Sequence, residues 1–233
     1  MTLLVLDTAQ GLCTVALGRE GQVIAARSEP MTRGHQERLP ALVEAVLAEA
    51  GIAAPALEVI AATRGPGSFT GLRVGLAFAQ GLAAATGARP IGLSSLDALA
   101  VQAHRAAPDE PRPLAAVMDA RRGQVYLALW GEKTAGAEGD PALARPLLHA
   151  ACALTLEAAT TLLKTATPQA FIIGSGAGLV SGSDADRTEV EGPAAGALVH
   201  LATLRADQPD ATGLEPLYLR APDATPPTRL PGQ

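Results

Sequence analysis

The 233-residue sequence contains few cysteines, few aromatic side chains and no long apolar runs. Its two cysteines, Cys13 and Cys152, do not form a CxxC pair or any other metal-site spacing, which indicates reduced thiols. No segment approaches the roughly 18 apolar residues of a transmembrane helix. The first ten residues also lack the charged and apolar regions of a signal peptide. These absences predict a cytoplasmic protein without a metal centre.

The charge balance limits the kinds of partner that this chain can bind by itself. Its 18 basic and 23 acidic residues give a formal net charge of −5. Affinity for nucleic acid depends on basic side chains that contact phosphates, so we expect none by this chain alone. A hydrophobic content of 48%, rich in alanine and glycine, is typical of soluble α/β proteins.

The spacing of apolar residues alternates between strand-like and helix-like segments. It predicts an opening three-stranded meander over 2–7, 13–18 and 22–29, and then a helix over 37–50 with Pro40 in its first turn. Further strands are predicted over 57–64, 90–94, 114–119, 124–131 and 170–174, and further helices over 70–86, 95–106, 156–166 and 194–206.

This order indicates an α/β fold in which mixed sheets carry helices on their faces. The second half of the chain looks like a thinner version of the first, as in the two-lobed Hsp70, actin and sugar-kinase architecture. The proline-rich segment 107–113 is the predicted linker between an N-terminal lobe, 1–106, and a smaller C-terminal lobe, 107–220. Residues 132–150 are predicted to be a loop, and 221–233 an extended proline-rich tail.

The segment GPGSFTGLRVG, residues 65–75, lies between a predicted strand and a predicted helix. It lacks the lysine of a Walker P-loop, and Ser68 lacks the flanking glycines of a nucleophile elbow. Two alternatives remain at this point. The backbone N–H groups could bind an anion, or Ser68 or Thr70 could cap the helix while Gly65 and Gly67 make the turn.

The helix after this loop carries small residues at every fourth position: Gly71, Gly75, Ala79 and Ala83. A glycine inside a helix costs roughly 1 kcal/mol relative to alanine, which is tolerable where another backbone comes close. This small ridge therefore predicts a tight helix–helix contact, with the apolar stripe of helix 37–50 as one neighbour.

Other candidate sites are weaker. Asp7 lies at a hairpin, where two-lobed ATPases hold a metal or phosphate, but it equally fits a turn aspartate. The GSGAG turn, 174–178, resembles an adenosine-side turn or a purely structural one, and Asp119, Arg121 and Arg122 fit an anion site or an exposed turn. The histidines are scattered, without the spacing of a metal site, at His35, His104, His149 and His200.

Five segments occur in the order seen in the TsaB (YeaZ) family, which the chain resembles from Leu3 to about Arg220. They are LLVLDTAQGLCTVAL, GHQERLPALVEAVL, TRGPGSFTGLRVGLAFAQGLA, MDARRGQVYLALW and EPLYLR. The resemblance implies the two-lobed Hsp70-like (ASKHA) fold and a part in making threonylcarbamoyladenosine at position 37 of tRNA. It further implies a non-catalytic relative of the transferase TsaD, because Ser95 and Leu99 stand where TsaD-type proteins carry a metal-binding histidine pair.

The resemblance also implies partners. It predicts a scaffold subunit that binds TsaD through a shared helical bundle, joins the ATPase TsaE in one complex, uses the product of the synthase TsaC, and possesses no catalytic, cofactor or metal site. A homodimer is an alternative for the free protein. The predicted partner interface comprises His35, Leu39, Leu42, Val43, Val46, Leu47, Gly71, Gly75, Phe78, Ala79 and Leu82. A different class stays open, namely an ATPase or small-molecule kinase of the same superfamily with a metal–phosphate site at Asp7.

Overall fold

The computed structural model describes residues 1–31, 33–134, 143–180, 187–208 and 213–220. Its first sheet contains β1 (Thr2–Asp7), β2 (Leu12–Arg19), β3 (Gln22–Pro30), β4 (Val59–Gly65) and β5 (Arg89–Ser94), in the order β3-β2-β1-β4-β5. The first three strands are antiparallel, whereas β4 and β5 run parallel to β1. Both faces of β1 are buried: Leu3 and Val5 point to one core, and Leu4 and Leu6 point to another.

The second sheet repeats this plan. It contains β6 (Leu114–Arg121), β7 (Gln124–Trp130), β8 (Leu147–Thr155), β9 (Phe171–Ile173) and β10 (Arg187–Thr188), in the order β10-β9-β6-β7-β8. Here β6, β7 and β8 are antiparallel, and β9 runs parallel to β6. The predicted mixed sheets and their thinner second copy are therefore confirmed.

The helices form layers on these sheets: α1 (His35–Ala50), α2 (Phe69–Thr86), α3 (Ser95–Ala106), α4 (Leu156–Ala166) and α5 (Ala195–Ala206). Helices α1 and α2 cover the outer face of the first sheet, and α4 covers the outer face of the second. Helices α3 and α5 contact each other and share one core with the facing sides of both sheets. Among the described residues, no helix has the length and apolar character needed to cross a membrane.

Two local predictions are wrong. Strand β8 starts inside the predicted loop 132–150. Its edge position leaves most of its residues only half-buried, so its sequence lacks the alternation that predicts a strand. Helix α1 begins at His35, so Pro40 lies in its second turn rather than its first. The predicted tail, 221–233, lies outside the described residues.

One buried arginine holds the segment 107–113, the proposed lobe boundary, through hydrogen bonds to its backbone. The guanidinium of Arg145 donates to the carbonyl oxygens of Glu110, Arg112 and Gly131. Beyond the second sheet the chain returns to the first, where α5 contacts β1, β2, β3 and β5. The boundary stays a proposal, and by its contacts α5 belongs to the first sheet.

Candidate functional site

A cleft of about 720 Å³ opens between the two sheets. Its walls come from the β1–β2 turn, the start of α2, the β6–β7 hairpin and the segment 217–220. This volume lies within the range of about 300–1,000 Å³ that small-molecule sites occupy, so the cleft is the first place to look for bound chemistry.

Asp7 ends β1 beneath this cleft but does not line it. Its side chain is fully buried, and its Oδ1 accepts hydrogen bonds from Thr63 Oγ1 at 2.5 Å and from Ala9 N at 3.0 Å. Burial raises the pKa of Asp7, although these two bonds lower it in part. The arrangement fits the turn aspartate better than a carboxylate that faces a metal–phosphate group.

The GPGSFTG loop packs its backbone directly on the β1–β2 turn. Ser68 N donates to Ala9 O at 2.7 Å, and a Cβ at Gly67 would come within 3.0 Å of that same oxygen. Ser68 Oγ accepts from Gly71 N at 3.3 Å, which caps α2. Of the two alternatives for this loop, the structure therefore confirms the helix cap and the close backbone approach.

Two amides of the β1–β2 turn are engaged within the chain. Ala9 N donates to Asp7, and Gly11 N donates to Glu191 O at 3.2 Å. The Glu191 carboxylate also lies against Gly11, where a Cβ would come within 3.0 Å of Oε2. A negative group thus occupies the space beside the turn, which disfavours a second anion there.

On the opposite wall, the β6–β7 hairpin carries Asp119 and Arg121. Asp119 Oδ1 accepts from Arg121 N at 2.7 Å, and the two side chains form an ion pair at 3.0 Å. The Arg121 side chain is 84% exposed, which fits an exposed turn that borders the cleft. In the GSGAG turn, a Cβ at Gly174 or Gly176 would collide with the backbone of β6, so these glycines have a packing role.

The positions of the histidine pair are closed to a ligand. Ser95 and Leu99 are fully buried on α3, in the core between the sheets. Within the described residues, no group of three or more histidine, cysteine, aspartate or glutamate side chains is placed to hold a metal ion.

The structure shows which way each predicted interface residue faces. Eight of the eleven are buried within this chain: His35, Leu39, Leu42, Val43, Val46, Gly71, Gly75 and Ala79. Half-buried at the edge of the exposed surface are Leu47, Phe78 and Leu82. As a partner interface the set stays a prediction, since the helices that carry it also present exposed faces.

One part of that prediction needs correction. A Cβ at Gly71 would overlap Thr8 O, and one at Gly75 would overlap Thr8 Oγ1. The glycines of the small ridge therefore pack against the residue that follows β1, where a neighbouring helix was predicted. Periodicity alone did not reveal this, because a close approach inside the chain and one between chains select the same small residues.

The exposed face of α2 has a feature that the ridge argument missed. Among the described residues, no atom lies within 4 Å of where a Cβ at Gly81 would be. The exposed neighbours of this glycine are Gln80 and three alanines, Ala77, Ala84 and Ala85. Arg73 is the only charged residue in the 18 residues of α2. The scarcity of charge in FTGLRVGLAFAQGLAAAT was the available signal for a second apolar face on this helix.

Two sheets of matching strand order, with helices between and outside them and a cleft between the sheets, define the two-lobed class that includes actin, Hsp70 and sugar kinases. The predicted fold class is confirmed. The family model for TsaD, tRNA N6-adenosine threonylcarbamoyltransferase, matches residues 22–170. Together with the relatives described next, this match shows that the chain belongs to the TsaB (YeaZ) family.

Three relatives illustrate the similarity. The tRNA threonylcarbamoyladenosine biosynthesis protein TsaB of Escherichia coli K12 is 41% identical over 128 residues, 55% of this chain and 54% of that protein. The Mycobacterium tuberculosis protein Rv3421c is 34% identical over an alignment of 235 positions, which covers 97% of this chain and 94% of that protein. The structure of YeaZ from Pseudomonas aeruginosa superimposes with a TM-score of 0.76 at 30% identity, covering 94% of this chain and 99% of that one. The matched region spans about half the length of the curated TsaB relatives.

Proposed function

We propose that this chain is a non-catalytic scaffold subunit of the machinery that makes threonylcarbamoyladenosine at position 37 of tRNA. In this proposal it binds and supports a TsaD-type transferase, shares a complex with a TsaE-like ATPase, and works in the cytoplasm. Support comes from the names of the curated relatives and from the family model. Free protein would self-associate through the same surface when the transferase is absent.

The non-catalytic part of the proposal rests on the cleft. The Asp7 carboxyl is sealed beneath it, and two amides of the β1–β2 turn already have acceptors. The Glu191 carboxylate lies against the same turn. A phosphate or metal–phosphate ligand would have to displace these interactions before Asp7 took part in chemistry.

The scaffold part rests on the outer face of α2, which is the observation that carries the proposal. A glycine in mid-helix costs about 1 kcal/mol, and at Gly81 no close packing by the described residues requires it. Alanines and the half-buried Phe78 and Leu82 surround this glycine without a charged side chain. Such a face suits the close approach of a partner helix, as in a shared helical bundle.

Gly81→Leu tests the interface directly. We expect the isolated chain to keep its stability, because the site is open and leucine is a better helix former. Affinity for the TsaD-type protein of the same organism, measured by titration calorimetry, should fall by roughly ten- to a hundredfold, since overpacking costs about 1–3 kcal/mol. Ala158→Leu, on the exposed face of α4, is the matched control and should bind normally.

Wild-type affinity for Gly81→Leu would show that α2 does not face the transferase. The size of the cleft favours one alternative, an ATPase or small-molecule kinase. That alternative requires turnover of ATP at rates on the order of 1 s⁻¹ or more, abolished by Asp7→Ala. We expect no such activity from the purified chain.

A further inference from the structure

We propose that Phe69, Arg73 and Tyr218, here called the rim patch, anchor a segment of the partner that presents an acidic side chain beside an apolar one. This inference rests on the proposed function, because the partner is the TsaD-type protein. It adds a second contact to the outer face of α2 and states the chemistry that this contact recognises.

The three side chains contact one another, and two of them, Phe69 and Tyr218, line the cleft. The Phe69 and Tyr218 rings lie 5.3 Å apart between centroids. The Arg73 guanidinium carbon lies 3.8 Å from the Phe69 ring centroid, and Arg73 Nε donates to Tyr218 Oη at 3.2 Å. Phe69 is nevertheless 46% exposed and Tyr218 43% exposed, so much of their apolar surface stays accessible to a partner.

Both backbones that carry the rim patch are held in place. Phe69 is the first residue of α2, directly after the Ser68 cap. Tyr218 follows Leu217, whose N–H donates to Arg64 O at 2.7 Å, and the same segment buries Leu214. Because the side chains are already ordered, a partner that binds them loses little additional conformational entropy.

The free donors of Arg73 indicate the chemistry of the partner. Within the described part of the chain Arg73 forms no ion pair, and its two terminal nitrogens make no hydrogen bond. A planar guanidinium with both terminal nitrogens free matches a carboxylate in a bidentate pair. Exposed aromatic rings beside it offer contact to an apolar side chain, and tyrosine and arginine are enriched among residues that dominate binding energy.

The rim patch continues the proposed interface along the outer face of α2. Arg73, Ala77 and Gly81 follow one another at intervals of four residues, which places them on the same side of the helix. The single charge of α2 thus stands at one end of an uncharged exposed face. Phosphate also pairs with arginine, but RNA binding depends on several basic contacts, which the net charge of −5 does not favour.

The test compares single variants in calorimetric titrations with the TsaD-type protein at low and high salt. Arg73→Glu should weaken binding by at least about tenfold, as expected for a charge-reversed anchor. Tyr218→Ala should also weaken it, and Arg73→Lys should give an intermediate loss because it cannot form the bidentate pair. Arg19→Glu, an equal charge change on the exposed end of β2, should have no effect. Wild-type affinity should fall with salt more steeply than that of Arg73→Gln.

The outcomes separate this inference from the proposed function. If Gly81→Leu loses the partner while both Arg73→Glu and Tyr218→Ala bind normally, the rim patch is not an anchor, although the scaffold proposal stands. If all three variants bind normally, neither the rim patch nor the outer face of α2 contacts the transferase. The scaffold proposal itself is wrong if the wild-type chain does not bind the TsaD-type protein. Should Arg73→Glu leave the protein affinity unchanged but weaken crosslinking of tRNA to the assembled complex, the partner is RNA and the inference is overturned. Melting curves of each variant establish that the compared proteins are folded. If Arg73→Glu does not fold, the binding of Tyr218→Ala decides whether the rim patch is an anchor.

Discussion

Alanine at Gly75 and alanine at Gly81 should change the stability of this protein in opposite directions. Both glycines lie inside α2, so the substitution gives each the same gain in helix propensity, about 1 kcal/mol. Their surroundings differ. A Cβ at Gly75 would overlap Thr8 Oγ1, whereas a Cβ at Gly81 would meet no atom of the described residues within 4 Å.

The balance at Gly75 follows from three contributions. Overpacking at a close contact costs about 1–3 kcal/mol. Moving Thr8 Oγ1 would break its 2.7 Å hydrogen bond to Gly71 O, which is worth about 1 kcal/mol. After the helix-propensity gain of about 1 kcal/mol, Gly75→Ala should destabilise by about 1–3 kcal/mol. Gly81→Ala should stabilise by up to about 1 kcal/mol.

Urea denaturation and thermal melting of the three proteins measure this difference. Each kcal/mol corresponds to a shift in Tm of about 2–4 °C for a chain of this size. Thr8→Ala removes the overlapped hydroxyl, so Gly75→Ala should cost less in that background than in the wild type. Equal stabilisation by both alanines would refute the packing argument and show that Gly75 does not pack closely against Thr8.

Two further results are expected from buried titratable groups. Burial raises the pKa of Asp7 above its ordinary 3.8, so the folded chain holds this proton more tightly than the unfolded one. Its contribution to the free energy of unfolding is present below pH 3.8 and declines as pH rises towards the folded pKa. In Asp7→Asn, the free energy of unfolding measured by urea titration should vary less with pH over that range. An unchanged pH dependence in this variant would contradict the argument. Cys13 is buried with its pKa raised to about 11, whereas Cys152 is half-buried. A thiol reagent at neutral pH should label Cys152 first. Equal rates for both would show that the core around Cys13, between the first sheet and helices α1 and α2, opens.

Much of the fold followed from local patterns. The opening meander, α2, α3, α4 and α5 lie within two residues of their predicted bounds, because strong apolar periodicity and glycine or proline boundaries mark them. Strand β8 was not predicted, since its place at the sheet edge leaves no alternating pattern. The five-strand order of each sheet also needed the structure, because pairing partners lie far apart in the chain.

Of the candidate site, too, one part could be predicted from the sequence and the other needed the structure. The absence of a P-loop lysine, the Ser68 cap and the motifs shared with the TsaB family could be identified in the sequence, because each is a matter of residue type and spacing. Which face of α2 is covered could not. Gly71, Gly75 and Gly81 are equivalent as residue types, and their difference depends on where β1 ends. The fold brings Thr8 against the first two and leaves Gly81 exposed, so only the tertiary structure distinguishes internal packing from a surface open to a partner.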